Sequence, residues 1–175
     1  MTLLFEPESM NLLFTPAAAV ATCEVIENFF GISPQIKWVN DIFLDGKKVC
    51  GILCETYISS GKRLVSVGIG INLTTKDFPD TLPNASSLGI ECDKLKLAEE
   101  ICKVFLSLCK SDKTDYIIQE YEKKLFIIGK TINFTENNIL NSATVKGIND
   151  SCNLIVELPD NTEKILSSGE ISIKL

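Results

Sequence analysis

The dipeptide Asp45-Gly46 sits between two apolar-rich arms, Ile42-Phe43-Leu44 and Val49-Cys50-Gly51-Ile52-Leu53. Asp-Gly readily supplies the two positive φ angles of a type I′ turn, so this stretch is committed to a β-hairpin. The next segment, RLVSVGIGINL (63–73), is rich in Val and Ile and almost continuously apolar, the texture of a central strand. The fold must therefore accommodate a hairpin followed closely by a further strand.

Helices are signalled on either side. Residues 2–6 (TLLFE) read as a short buried strand ended by Pro7, after which Thr15-Pro16 supplies an N-cap and a first-turn proline. Val20, Cys23, Ile26 and Phe30 then recur at helical spacing until Gly31, which predicts an amphipathic helix. Residues 78–87 read as loop. Asp93 is placed to cap a second helix with Leu95, Ala98, Ile101, Cys102, Phe105 and Leu108 on its apolar side. A third helix is expected over about 115–125. From Gly129 the texture changes to five short strands (KTINF, NSATVKGI, CNLIVEL, EKILSS, EISIK) with polar turns at 136–138, 149–150 and 159–161. The class is α+β: a mixed β-sheet with packed helices over 1–128, then a small barrel-like β module over 129–175.

Composition limits the chemistry. The 175-residue chain has no histidine, which removes Ser-His-Asp and Cys-His catalysis and imidazole metal sites together. Arg63 is the only arginine among 17 basic residues, so guanidinium clamps on phosphate are limited to one position. A net charge of −6 with no basic run argues against duplex DNA or an anionic membrane as the main partner. Local pairs such as Lys47-Lys48 remain compatible with a small anionic ligand. Seven cysteines without a CxxC pair are expected to be reduced and mostly buried. The N-terminus has no signal-peptide pattern, and no apolar run reaches the roughly 18 residues of a membrane span. A soluble cytoplasmic protein is expected.

Two constellations could carry chemistry. A two-residue loop at 45–46 places Phe43 opposite Lys48 and Asp41 opposite Cys50, with Asp41 and Lys48 as diagonal neighbours on one face, just beyond direct contact. An acid beside an amine could hold an anionic substrate and help bind Mg²⁺; a solvated charged pair on a hairpin would look the same. Gly68 and Gly70 alternate within the apolar strand, which implies close approach of a ligand or of a crossing helix. Asn72 at the strand's end could reach a nucleotide or phosphate. The pattern does not continue into a helix as a dinucleotide fingerprint does. Trp38, the single tryptophan, reads as a core anchor between Lys37 and Asn40.

In order along the chain, Lys37-Trp38-Val39-Asn40-Asp41-Ile42, then Gly46-Lys47-Lys48-Val49-Cys50-Gly51-Ile52-Leu53-Cys54-Glu55, then Val67-Gly68-Ile69-Gly70-Ile71-Asn72 resemble the biotin protein ligases. That family carries KWPND, K-x-x-G-I-L-x-E and GxGxN segments in this order. Phe78-Pro79, Ala85-Ser86-Ser87-Leu88 and Gly169-Glu170-Ile171-Ser172 resemble its following loop and the GEIS-type ending of its last domain. The resemblance implies a class II synthetase-like biotin/lipoate ligase fold with a C-terminal SH3-like β-barrel. It also implies an enzyme that makes biotinyl-5′-AMP from biotin and ATP with Mg²⁺ and passes biotin to a lysine of a biotin carboxyl carrier domain, with a homodimer as one possible assembly. By the same resemblance, Lys48 is the catalytic lysine between the biotin carboxylate and the α-phosphate. Gly51, Gly68 and Gly70 present backbone to the biotinyl adenylate. Asn40, Asp41, Asn72 and Lys174 lie on the ATP side, Asp41 toward Mg²⁺.

The sequence departs from the family pattern in three places. Val39 stands where the family usually has proline, and Lys174 keeps a charge but not a fork. The family's GRGRxG loop and the segment that holds the ureido ring precede the first strand read here, so the chain by itself is expected to bind biotin weakly. A non-catalytic binding or dimerisation module is the alternative reading. A lipoate ligase is a weaker one, since the KWxND and GEIS elements fit the biotin branch better.

Overall fold

Asp45 (φ 50°) and Gly46 (φ 75°) both take positive φ, and the hairpin that they close joins β3 (Asp41–Leu44) to β4 (Lys47–Ser59). A second tight turn at Ser60 (φ 50°) and Gly61 (φ 76°) returns the chain into β5 (Lys62–Ile71). The computed structural model describes residues 1–7, 13–110, 113–169 and 171–173. With β1 (Thr2–Phe5) and β2 (Gln35–Lys37) these strands form one sheet in the order β1-β5-β4-β3-β2. Its ladders are antiparallel; parallel pairing enters through two isolated bridges, Ile36–Leu125 and Lys48–Ala85.

One face of this sheet is covered and the other is not. Val65, Val67 and Ile69 of β5 are buried, while Ser66, Gly68 and Gly70 alternate to the opposite face. The continuous apolar texture of 63–73 thus marks a strand covered on one side whose second face is floored by small residues. β1 is a half-exposed edge strand, not the buried strand expected, because only β5 pairs with it.

The covering element is α1 (Phe14–Phe30), which contacts β3, β4 and β5 as well as α2 (Lys94–Leu108) and α3 (Thr114–Lys124). Packed on both sides, it is buried continuously from Pro16 to Cys23 and is not amphipathic over that stretch. The run Ala17-Ala18-Ala19 makes this close approach feasible. The helix starts one residue before Thr15, with Leu13 at the N-cap position, so Thr15 and Pro16 sit inside the first turn and Thr15 does not cap. Gly31 (φ 66°) ends it as expected.

Asp93 does cap α2, its carboxylate accepting from Leu95 N at 3.0 Å and Lys96 N at 3.1 Å. The buried stripe is Leu97, Ile101, Phe105 and Leu108. Leu95, expected inside, is 83% exposed: it lies two residues from Leu97, roughly 200° round the helix.

The C-terminal strands β6 (Thr131–Glu136), β7 (Ile139–Ile148), β8 (Leu154–Glu157), β9 (Glu163–Leu166) and β10 (Ile171–Ile173) form a second antiparallel sheet in the order β10-β6-β7-β8-β9. Among the described residues β9 and β10 are its two edges, so the module is an open sheet and not a closed barrel. The connection between those edges, Ser167 to Gly169, lines hollows at the first sheet instead of continuing a ladder. One contiguous core runs through both sheets, from Leu13 to Ile171. No described helix is long and apolar enough to cross a membrane.

Candidate active site

The arm after the Asp45-Gly46 turn does not keep strict alternation. Lys48 pairs with Phe43 as the turn dictates, but Ile42 pairs with Cys50 and Asp41 with Gly51, so Val49 is an extra residue in a β-bulge. In a regular strand Lys48 and Cys50 would share a face. The bulge lets Val49 and Cys50 both be buried while Lys48 stays on the open face with Asp41 and Gly51. The expected register was therefore off by one at Asp41. Lys48 is still diagonal to Asp41, and its long side chain closes the gap to a direct ion pair, Lys48 Nζ to Asp41 Oδ1 at 2.5 Å, not the near-miss expected.

Asn40 extends this row. Its side-chain Nδ2 donates to Ile52 O at 2.6 Å, and Ile52 N donates back to Asn40 O at 2.9 Å. This clamp fixes the start of β3 against β4. On the other side Lys48 is bracketed by a loop: its N–H donates to Asn84 O at 2.7 Å, and Ser86 N donates to Lys48 O at 2.8 Å. Asn72 laces that loop to β5 through Nδ2 to Ser86 O (3.0 Å) and Leu88 N to its own carbonyl (2.8 Å).

Two hollows meet at the row. One, of about 540 Å³, lies between Trp38, Val39 and Phe43, the loop from Thr81 to Ala85, and Gly169 and Ile171 of the C-terminal sheet. The other, of about 430 Å³, is floored by Gly51, Gly68 and Gly70 with Ile52, Leu53 and Ile69 around them. Asn40, Asp41 and Lys48 line both. Such volumes suit small molecules. Among the described residues no helix crosses the sheet at the glycines: the heavy atoms nearest a Cβ there are Leu53 O at 3.6 Å for Gly68 and Gly51 O at 3.9 Å for Gly70.

Of the residues singled out from sequence, Lys48, Asp41, Asn40, Gly51, Gly68 and Gly70 are thus brought together. Asn72 lines neither hollow and stands behind the loop. Lys174 and Glu170 lie outside the described residues. Arg63 pairs with Ile58 at the far end of the β4–β5 hairpin. Sequence reading missed the Thr81–Ala85 wall, because no local pattern marks a contact between Lys48 and residues 36 positions on.

Burial pushes the Cys50 thiol up to about 12, with the Asp41 charge adding to it, so this neighbour is an uncharged packing group and not a nucleophile. Asp41 supplies one carboxylate to the row. No cluster of three or more acidic or cysteine side chains that could hold a metal occurs among the described residues. A lone carboxylate suits Mg²⁺ that is held mainly by nucleotide phosphates.

Residues 4–72 match the biotin/lipoate A/B protein ligase family, and residues 127–174 match the biotin protein ligase C terminal domain. The bifunctional ligase/repressor BirA of Bacillus subtilis is 33% identical over a 184-residue alignment that covers 96% of this chain and 56% of the relative. The BirA of Escherichia coli is 24% identical, with 97% and 60% covered. The chain thus spans a little over half the length of these curated relatives. Its fold is that of a biotin protein ligase from Aquifex aeolicus in complex with biotin and ATP, with a TM-score of 0.80, 24% identity, and 99% of this chain and 76% of that one covered. With both family matches falling in order along a sheet-and-helix unit and a C-terminal sheet, the chain belongs to the biotin protein ligase family.

Proposed function

We propose that this chain is the adenylate-forming part of a biotin protein ligase. It activates biotin with ATP to biotinyl-5′-AMP, and the carrier-domain lysine then takes the biotinyl group. The observation that carries the reading is that Lys48 stands in the wall common to two hollows. The glycine-floored hollow takes biotin, and the one between Trp38 and the Thr81–Ala85 loop takes the nucleotide.

The chemistry follows from the row. A carboxylate oxygen of biotin attacks the α-phosphorus; a C(O)O–P bond forms, the α–β P–O bond breaks, and pyrophosphate leaves. Two anionic groups must meet, and Lys48, whose side chain is 42% exposed, offsets their charge at the point of contact. An ammonium has three donors. Asp41 takes one at 2.5 Å and so fixes the direction of the others toward the two hollows. Mg²⁺ would arrive with the phosphates, with Asp41 as its protein ligand, and would neutralise the developing charge. Asn72 serves the nucleotide side by holding the loop. In the second step the carrier lysine's amine attacks the acyl carbon, and AMP leaves with the electron pair of the C–O bond. No step needs a histidine. A cytoplasmic setting belongs to the same reading, since all seven cysteines are unpaired.

Incubation with biotin and α-labelled ATP tests the reading. Labelled biotinyl-5′-AMP is expected, and Lys48→Ala should lower its formation by about 10²–10³-fold with the melting temperature unchanged. A Lys48→Ala protein that works at the parent rate, or a parent that prefers lipoate, would sink it.

A further inference from the structure

The Asn40–Asp41 pair begins where a short turn leaves β2, and two buried hydrogen bonds from distant parts of the chain hold the residues just before it. Tyr121 of α3, fully buried, donates its hydroxyl to Val39 O at 2.6 Å. Trp38, 3% exposed, donates its indole Nε1 to Cys152 O at 2.9 Å. Cys152 presents that carbonyl from a left-handed position, φ 55°. Its turn is pinned by Asn149, whose Oδ1 accepts from both Ser151 N and Asn153 N at 3.0 Å.

We propose that Tyr121 and Trp38 are positioning residues for nucleotide binding: a two-point brace, one arm from α3 and one from the C-terminal sheet, that fixes the 38–39 turn and through it Asn40 and Asp41. Both arms act on adjacent residues, and both Trp38 and Val39 line the hollow assigned to the nucleotide. Neither lines the glycine-floored hollow. Asn40 and Asp41 line both hollows but the braced turn itself lines only that of the nucleotide, so loss of the brace should weaken ATP binding well beyond biotin binding. The brace also gives the C-terminal sheet a task at the site beyond forming a wall. This inference rests on the proposed assignment of ATP to the Trp38 side.

The test compares Tyr121→Phe, Trp38→Phe and the double variant with the parent chain. Each single change removes a hydroxyl or an indole N–H but keeps an aromatic ring in place. Loss of one buried hydrogen bond on the turn should raise the Kd for ATP about tenfold, with the Kd for biotin within about twofold. The double variant should lose less than the product of the single effects, since both bonds hold one turn. In Tyr121→Phe the indole N–H resonance of Trp38, the only tryptophan, should shift before any ligand is added. Unchanged ATP affinity in both single variants, with only a lower melting temperature, would make these bonds ordinary core contacts and overturn the proposal. Equal weakening toward biotin and ATP would do the same. A parent that binds ATP but forms no adenylate defeats the preceding function and leaves the brace judged by binding alone; a parent that binds no ATP overturns both.

Discussion

A Cβ at Gly68 or Gly70 would meet the neighbouring strand at ordinary van der Waals distance, 3.6 Å and 3.9 Å, so neither glycine is required by packing. What these positions lack is a side chain over the floor of the smaller hollow. Gly68→Val and Gly70→Val should thus keep the melting temperature within a few degrees while reducing biotin affinity at least about tenfold by calorimetry. Undiminished affinity in both variants would remove that hollow from the site. The chemistry-bearing side chains Lys48, Asp41 and Asn40 were legible at this scale, because a charged pair beside a defined turn is a local pattern. The contact between Lys48 and Asp41 was not. It depends on the rotamers that carry the lysine Nζ across the diagonal, whereas the shifted pairing of Asp41 with Gly51 depends on the extra residue Val49, which the core takes together with Cys50. Nor could local pattern reveal Tyr121 or Cys152 as neighbours of the 38–39 turn.

At the scale of elements, start and stop signals were read well where a single polar or glycine residue decides them. Asp93 is such a case, with two backbone N–H groups on its carboxylate. Asp93→Ala should destabilise the protein by about 1 kcal/mol in urea unfolding, and Asp93→Asn by less. A cost near zero in Asp93→Ala would mean that water caps the exposed end equally well. Gly31 and Asp45-Gly46 were legible for the same reason: each has the positive φ its position requires. The N-terminus of α1 was misread at Thr15 because Phe14 and Pro16 are both buried, and burial draws the helix start upstream of the available hydroxyl. The amphipathic expectation for α1 failed for a related cause. Periodicity reports one covered face, and this helix has the sheet on one side and two helices on the other. In α2 the stripe was right at Ile101, Phe105 and Leu108, yet Leu95 was assigned to it although the first turn projects past the core.

Across the whole molecule the two sheets share one core, and the C-terminal sheet and its turns are tied to the rest by Trp38 Nε1 to Cys152 O and Ile148 N to Glu122 Oε1 of α3. A single cooperative transition follows, so Trp38 fluorescence and far-UV circular dichroism should trace coincident urea curves. Two separated transitions would show that the C-terminal sheet is stable by itself. The number of its strands and their places along the chain were legible from the polar turns; their order in the sheet and its openness were not, since closure depends on where a three-residue edge lands. One consequence of the unpaired Val49 concerns the kinds of sequence change the site can absorb. Spelling is negotiable along this arm, because other apolar residues would fit the same space. Length is negotiable at the bulge. Losing Val49 would leave Cys50 opposite Ile42 and Gly51 opposite Asp41 in a regular ladder, with Lys48 still opposite Phe43 on the open face, whereas removing a residue between Gly46 and Lys48 would set the lysine opposite Leu44 and out of phase with Asp41. The chain can shed a residue after its lysine and none before it.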